Sequence, residues 1–521
     1  MENDKRITVA ITGAAGNMGL CATEELLKLD FVKTLRVLMH NKKRTRAFLK
    51  KFRHSPKIQV FNGTLSDVAV CREFVSGADY VLNLASVIPP LSDKSPSSAV
   101  ECNVKGVDAL VSAIEALETQ PKLVHTSTMA LYGNRNEKHP FAEVGDPLAV
   151  SPFDIYSLTK LRGEFRVLES SVANRAVLRQ TAMLHDNMLS DNMSDGLMFH
   201  TAFNSPLEWA TAHDSGVLIA RIVERDYKGE LGENFWNRCF NIGSVAENRL
   251  TGYDVLNDGF ALIGGSAKRF FTPKDNAVRN FHGVWFRDGY KLQELFEYQT
   301  QSTGDYWREM KRKHPVYACG KTVPKAVIKK FVIDRLKGDP NAPAYWAKSG
   351  DEAKITAYFG GTEEYEKLTC DWKKFPLLSE GKLSDGTVCD FASLKNPDKQ
   401  ERLNHGFDDG KEDCEITLDD LKSVAAAHGG EVLTESFATG DIFAKVEWKT
   451  QDNQIFTARP YTVLRAGHWY HEGYEKDVWD FDRLAKKDKI LAQVWYDSHK
   501  KDENNKYFFD EQYNSHLIKG L

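Results

Sequence analysis

The stretch RITVAITGAAGNMGLCATEELLKL, residues 6 to 29, constrains the fold more than any other. It begins as a short β-branched apolar run, which reads as a buried strand. Gly13, Gly16 and Gly19 follow at three-residue spacing, and an amphipathic helical pattern follows them. Glycines at a strand-to-helix turn let the backbone reverse sharply. They also let an anion approach the helix N-terminus, where free N–H groups and the helix dipole favour negative charge. The same alternation then continues. TLRVLMH, IQVFNG, DYVLNLAS, KLVHTST and RAVLRQT read as strands, and RTRAFLKKF, AVCREFVSG, AVECNVKGVDALVSAIEAL and IYSLTKLRGEFRVLES read as the intervening helices. Strand and helix in strict succession predict an α/β fold, a Rossmann-type doubly wound parallel sheet.

A chain of 521 residues exceeds one ordinary core. Residues 1–182 are expected to form the dinucleotide-binding domain with the catalytic residues. The alternation weakens over 183–310, which is expected to be a small substrate lobe of the same unit. Residues 311–414 read as a helical connector, and 415–521 as a small additional C-terminal α+β domain. The net charge of −4 implies no polyanionic partner, so neither nucleic acid nor membrane is expected. Eight scattered cysteines without a CxxC pair fit free thiols in a reducing compartment better than a disulfide framework. With no signal-like N-terminal run and no segment long enough to span a bilayer, a cytoplasmic location is expected.

The glycine turn, with Asn17 and Met18 between its glycines, predicts dinucleotide binding. The second strand bears on which dinucleotide. Folds that bind NAD usually place a carboxylate near its end to hold the ribose 2′-hydroxyl. Here the strand ends at His40, and Asn41, Lys42, Lys43, Arg44, Thr45 and Arg46 follow. Cations suit a 2′-phosphate, so NADP(H) is expected over NAD(H).

Tyr156 and Lys160, in PFDIYSLTKLRGE, share one face of a helix. Alone, that spacing is common. Taken in order, TGxxGxxG, NLAS, TST and YxxxK resemble the extended short-chain dehydrogenase/reductase family of nucleotide-sugar epimerases, dehydratases and carbonyl reductases. The likeness spans about residues 6 to 310 and is loose after Met183. It implies that Thr64 and Leu65 border the adenine, and that Leu84, Ala85 and Ser86 pass the adenosine ribose. It implies that Asn103 steadies the central helix against the sheet. Tyr156 would be the acid/base, with Thr128 sharing the substrate oxygen. Lys160 would hold the nicotinamide ribose and lower the tyrosine pKa.

Three branches of that family compete. Dehydratases of this kind carry an Asp-Glu pair where Met129 and Ala130 stand, so dehydration is not expected. Epimerases must hold a nucleotide diphosphate, yet Thr181 to Ala220 contains no Lys or Arg. That stretch carries Met183, Met188, Met193, Leu197, Met198, Phe199, Phe203 and Trp209, a wall for an apolar pocket or simply a core. Arg269, Arg279 and Arg287 lie further on and could still serve a nucleotide. The leading expectation is an oxidoreductase acting on a small-molecule carbonyl or alcohol, bulky and partly apolar. A nucleotide-sugar epimerase comes second, and a cofactor-sensing scaffold is the reading from another class.

The tail from His428 faintly resembles small zinc-ribbon modules, but no cysteine follows Cys414. His428, His468 and His471 make no convincing ligand set, so no metal is expected. Trp448, Phe456, Tyr461, Trp469, Tyr470, Trp479 and Trp495 read as core by default. Residues 320 to 521 are expected to cover the substrate opening or to join copies of the chain into a homo-oligomer.

Overall fold

The computed structural model describes residues 6–40, 42–192, 195–232, 234–469 and 478–517. Its centre is a parallel sheet. Strands β1 (Ile7–Thr12), β2 (Val32–Met39), β3 (Ile58–Asn62), β4 (Tyr80–Asn83), β5 (Lys122–Thr128), β6 (Arg175–Gln180) and β7 (Arg238–Ile242) pair in the order β7-β6-β5-β4-β1-β2-β3. All six pairings are parallel. Strand order reverses beside β1, which makes the switch point of a Rossmann-type fold. Helices α1 (Asn17–Lys28), α2 (Lys42–Phe52), α3 (Val68–Val75), α4 (Gly106–Glu115), α5 (Ile155–Leu168) and α6 (Ala212–Tyr227) flank the sheet.

Two glycines fix how closely the helices cross. A Cβ on Gly216 of α6 would sit 2.4 Å from the Cys21 Cβ on α1. A Cβ on Gly163 of α5 would sit 2.5 Å from the Asn103 carbonyl oxygen. Neither contact leaves room for a side chain.

The sheet takes back part of the expected substrate lobe. Helix α6 and strand β7 lie within residues 183–310, yet Leu218, Ile222 and Ile242 share the core of β1 and β2. Leu292, Phe296 and Tyr298 join them. The lobe proper is a three-stranded sheet of Ala182–Leu184, Pro206–Thr211 and Arg249–Thr251. Strand β7 reads RCFNI, so it lacks the apolar run that marked the other strands. Its polar residues have partners. Asn241 bonds Asp288 and Tyr132, and Arg238 pairs with Asp413 at 2.7 Å.

The C-terminal residues are not a separate body either. Ile416, Leu421, Val424, Trp448 and Trp469 share one hydrophobic core with Leu110 and Ile114 of α4 and Val167 of α5. Val446–Lys449 and Ile455–Ala458 form an antiparallel pair within that layer. Arg459 donates to the carbonyls of Leu168 and Ser170, closing the C-terminal end of α5. Thus the layer covers an outer face of the main domain.

A buried polar network ties the layers together. Arg179 of β6 and Glu164 of α5 pair at 2.6 Å, both without solvent exposure. Arg179 also donates to the Tyr132 hydroxyl and the Ala466 carbonyl, each at 2.6 Å. His468 donates to Glu164 at 2.9 Å. Burial alone would raise the Glu164 pKa, but Arg179 and His468 hold it far below the usual carboxylate range. His428 pairs with Asp488 at 2.8 Å and stacks on Trp469. Both histidines therefore have structural partners. Among the described residues no group of three His, Cys, Asp or Glu could hold a metal; Tyr470 and His471 lie outside them.

Replacing one member of a buried pair leaves the other charge uncompensated. Arg179→Met is expected to lower unfolding free energy by about 3–5 kcal/mol in urea titrations. The double variant Arg179→Met, Glu164→Met is expected to recover part of that loss.

Candidate functional site

The glycine turn lies over the C-terminal end of the sheet. Gly13 has a φ of +70°, and a Cβ there would sit 2.7 Å from the Ala85 nitrogen and the Leu84 carbonyl carbon. A Cβ on Gly19 would sit 2.1 Å from the Gly13 oxygen. The chain's own packing thus excludes side chains at both positions. Gly16 is less crowded, its nearest contact being the Gly13 oxygen at 3.1 Å. Gly16 also occupies the N-cap of α1, where no side chain satisfies the first N–H groups and the first turn holds no acid. By contrast α3, α5 and α6 are capped by Asp67, Asp154 and Thr211. An uncapped N-terminus behind a side-chain-free turn fits a pyrophosphate. Asn17 and Met18 open that helix.

Behind the turn the strand ends are braced. The Ala85 N–H donates to Thr12 Oγ1 at 3.1 Å, and that hydroxyl donates to Asn83 Oδ1 at 2.7 Å. The Asn83 amide donates to His125 Nδ1 at 3.0 Å. Burial, then the Lys160 charge, holds His125 well below its usual pKa, so the imidazole is neutral. Asn103 bonds only to the chain. Its amide donates to the Val87 carbonyl and the Thr159 hydroxyl, and its oxygen accepts from Ser86 Oγ and the Val87 N–H. It clamps the loop after β4 onto α5, so its place is structural support behind the site.

Thr128, Tyr156 and Lys160 converge at the end of β5. The side chains of Thr128 and Tyr156 are hydrogen-bonded to each other. Thr128 Oγ1 also accepts from the Ala130 N–H at 3.2 Å, capping the turn Met129–Tyr132. The buried Lys160 ammonium donates to the Thr126 carbonyl at 2.6 Å. Next to Thr128, the Ser127 hydroxyl is buried without a partner in the protein.

One sequence expectation is reversed. Burial raises the Tyr156 pKa to about 12, the Thr128 hydrogen bond opposes this, and Asp154 adds to the rise. Lys160 does not lower it, because its ammonium is directed at the Thr126 carbonyl. Burial instead brings Lys160 down to about 8.

Beside the start of α5 opens a cavity of about 150 Å³. Phe153, Asp154 and Ile155, the three residues before Tyr156, line it, as does Pro89 of the VIPP loop. Of the expected methionine-rich wall only Leu197, among the described residues, reaches it, and Met193 lies outside them. Met198, Phe199 and Phe203 are packed into the lobe's core instead. The opposite wall comes from beyond residue 340, with Trp346, Tyr358 and Trp479. Sequence reading missed Asp93 on this cavity. Its carboxyl is raised to about 7 by burial and then by Asp154. Asp154 itself caps α5 through the Ser157 N–H and faces His282 at 3.1 Å.

Toward the adenine end, Thr64 is exposed after β3, while the Leu65 side chain is buried against Gly106. His40 is exposed just after β2, and Arg44 lies on the first turn of α2. Asn41 lies outside the described residues, as does the side chain of Lys42.

The arginines that could serve a nucleotide are engaged within the chain. Arg279 is buried and pairs with Glu503 at 2.7 Å while donating to the Ala357, Thr356 and Ser498 carbonyls. Arg287 donates to the carbonyls of Pro397, Gln400 and Glu401. Arg269 donates to the Gly264 carbonyl at 3.3 Å.

Comparison with known proteins finds a family likeness in the first part of the chain. The model of the "NAD dependent epimerase/dehydratase family" matches residues 9–179. No curated protein matches the chain. Solved structures with similar folds include a double mutant of DesIV, a dTDP-glucose 4,6-dehydratase from Streptomyces venezuelae with NAD and DAU bound. It is 16% identical over 60% of this chain and 98% of that one, at a TM-score of 0.47. Pal from Bacillus thuringiensis is 16% identical over 60% of this chain and 99% of that one, at 0.46. The epimerase Mth375 from Methanothermobacter thermautotrophicus is 16% identical over 60% and 93%, at 0.43. The match thus shows that residues 9–179 of this chain resemble the NAD dependent epimerase/dehydratase family.

Proposed function

We propose that the chain is an NADP(H)-dependent oxidoreductase interconverting a ketone or aldehyde with an alcohol on a bulky, partly apolar small molecule. The observation that carries this reading is the convergence of Thr128, Tyr156 and Lys160 at one strand end, beside an aromatic-walled cavity. A nicotinamide dinucleotide, when bound, supplies or accepts the hydride. Gly13, Gly16 and Gly19 would border its pyrophosphate, and Lys160 would hold its nicotinamide ribose. Thr128 and Tyr156 hydrogen-bond the substrate oxygen. A phenol with a pKa near 12 carries its proton at neutral pH, so Tyr156 is set to donate in the reductive direction. Oxidation needs the phenolate and therefore gains as pH rises. Met129 and Ala130 offer no second proton carrier.

The family match favours one other reading, a nucleotide-sugar epimerase. The engagement of Arg279, Arg287 and Arg269 by the chain's own carbonyls and carboxylates weighs against it. Inversion of a sugar without net change in NADPH absorbance would favour the epimerase.

Across a carbonyl panel, the wild-type chain is expected to consume NADPH, with reduction favoured at neutral pH and oxidation at alkaline pH. Tyr156→Phe is expected to lose about 10²–10⁴-fold in turnover while still binding the dinucleotide in fluorescence titrations. Near-normal turnover in that variant would remove Tyr156 from its role.

No carboxylate stands between His40 and Arg46, so the NADP(H) dissociation constant is expected to be smaller than that of NAD(H) in parallel calorimetric titrations. Tighter NAD(H) binding would end the preference.

Asp93 gives the cavity a pH signature. The folded chain keeps its proton up to about 7, whereas the ordinary value is 3.8. The folded state therefore binds the extra proton within that window, and this contribution to stability falls as pH rises through it. In denaturant titrations at several pH values, Asp93→Asn is expected to flatten that decline.

A further inference from the structure

Although the whole chain is slightly acidic, residues 311–337 carry nine Lys or Arg against one Asp. A helix runs without a break through Lys325–Ile328, a π turn at Lys329–Ile333, and Asp334–Lys337. Its inner face is fixed, because Ile328, Ile333 and Leu336 bury into a core with Phe199, Phe260 and Phe270. Its outer face is apolar and basic at once. Val327 and Phe331, four residues apart, are 43% and 66% exposed, and Val316 in the preceding turn is 67% exposed. Lys325, Lys329, Lys330 and Arg335 surround them, all exposed. The Lys330 ammonium lies 5.6 Å from the Phe331 ring centre.

The neighbouring cations differ. Lys313 is paired with Asp186 and Lys337 with Asp275. Among the described residues, Lys321, Lys325, Lys329, Lys330 and Arg335 have no ionic partner. An aromatic ring left mostly in water among lysines without ionic partners buries little surface in the fold. It matches the requirements of an interfacial helix, where cations meet lipid phosphates and apolar side chains enter between headgroups. A nucleic acid would use the lysines but not Val327 and Phe331.

We propose that the outer face of the helix 325–337 docks the protein on an anionic bilayer surface, with Phe331 and Val327 as the inserted residues. This departs from the expectation drawn from total charge, which averages the patch away. It stands independently of the catalytic reading.

The test uses the full chain and sedimentation with vesicles of phosphatidylcholine alone or with about one-third phosphatidylserine. The protein is expected to pellet only with the anionic vesicles, and less as salt is raised. The triple variant Lys325→Glu, Lys329→Glu, Lys330→Glu is expected to bind at least about tenfold more weakly. Phe331→Ser is expected to bind several-fold more weakly. All these residues are exposed, so both variants are expected to keep the wild-type thermal midpoint. Absence of pelleting at low salt would overturn the proposal, and so would binding indifferent to these substitutions. Equal retention on heparin and on vesicles, with Phe331→Ser unchanged, would also overturn it in favour of a general polyanion site.

Discussion

The Arg179 guanidinium is the point on which the layers of this protein meet. It is wholly buried, and such a charge is tolerated only where every donor finds an acceptor. Its acceptors come from three parts of the chain: Glu164 on α5, the hydroxyl of Tyr132 and the carbonyl of Ala466; His468 in turn donates to Glu164. Tyr132 ends the short turn that begins directly after Thr128, so the same interaction fixes both sides of the proposed catalytic pair. Helix α5 carries Tyr156 and Lys160, and its register is set where Glu164 meets the guanidinium. A misfit here would displace the phenol from the threonine, with no change in either residue.

Precision at the site is therefore produced at some depth below it. Asn103 holds the loop after β4, Thr12 and Asn83 hold the strand ends, and Gly163 allows α5 to approach the π turn before α4. None of these groups needs to touch a substrate. They restrict the rotamers and backbone positions of those that do, which is what preorganisation requires. The cavity follows the same logic. One wall is a loop of the family-like domain, and the other is aromatic residues from beyond residue 340.

Much of the sheet was legible because parallel strands buried on both faces read as apolar runs. Six strands and their order of alternation follow from that pattern, and the glycine turn follows from its spacing. Strand β7 was not legible, since Arg238 is only half-buried, Asn241 is buried, and both are polar groups held by partners that lie far off in sequence. The docking of the tail on α4 and α5 was not legible for a related reason. Its Trp448 and Trp469 predict a core, but nothing in a linear pattern says that α4 and α5 supply the other half of it. The methionines and phenylalanines of 183–209 show the converse limit. Composition marks a residue as apolar, and only packing decides whether it lines a cavity or fills a core. The direction of the Tyr156 pKa escaped for an electrostatic reason: sequence spacing placed an ammonium near the phenol, while burial outweighed it.

The Ala466 carbonyl carries a consequence for how the molecule is made. It reaches Arg179 across 287 residues of sequence, so the interior charge waits for this acceptor until Ala466 has been synthesised. A nascent chain emerging N-terminus first can assemble the sheet early, but with an underside that is still apolar and a guanidinium not yet fully paired.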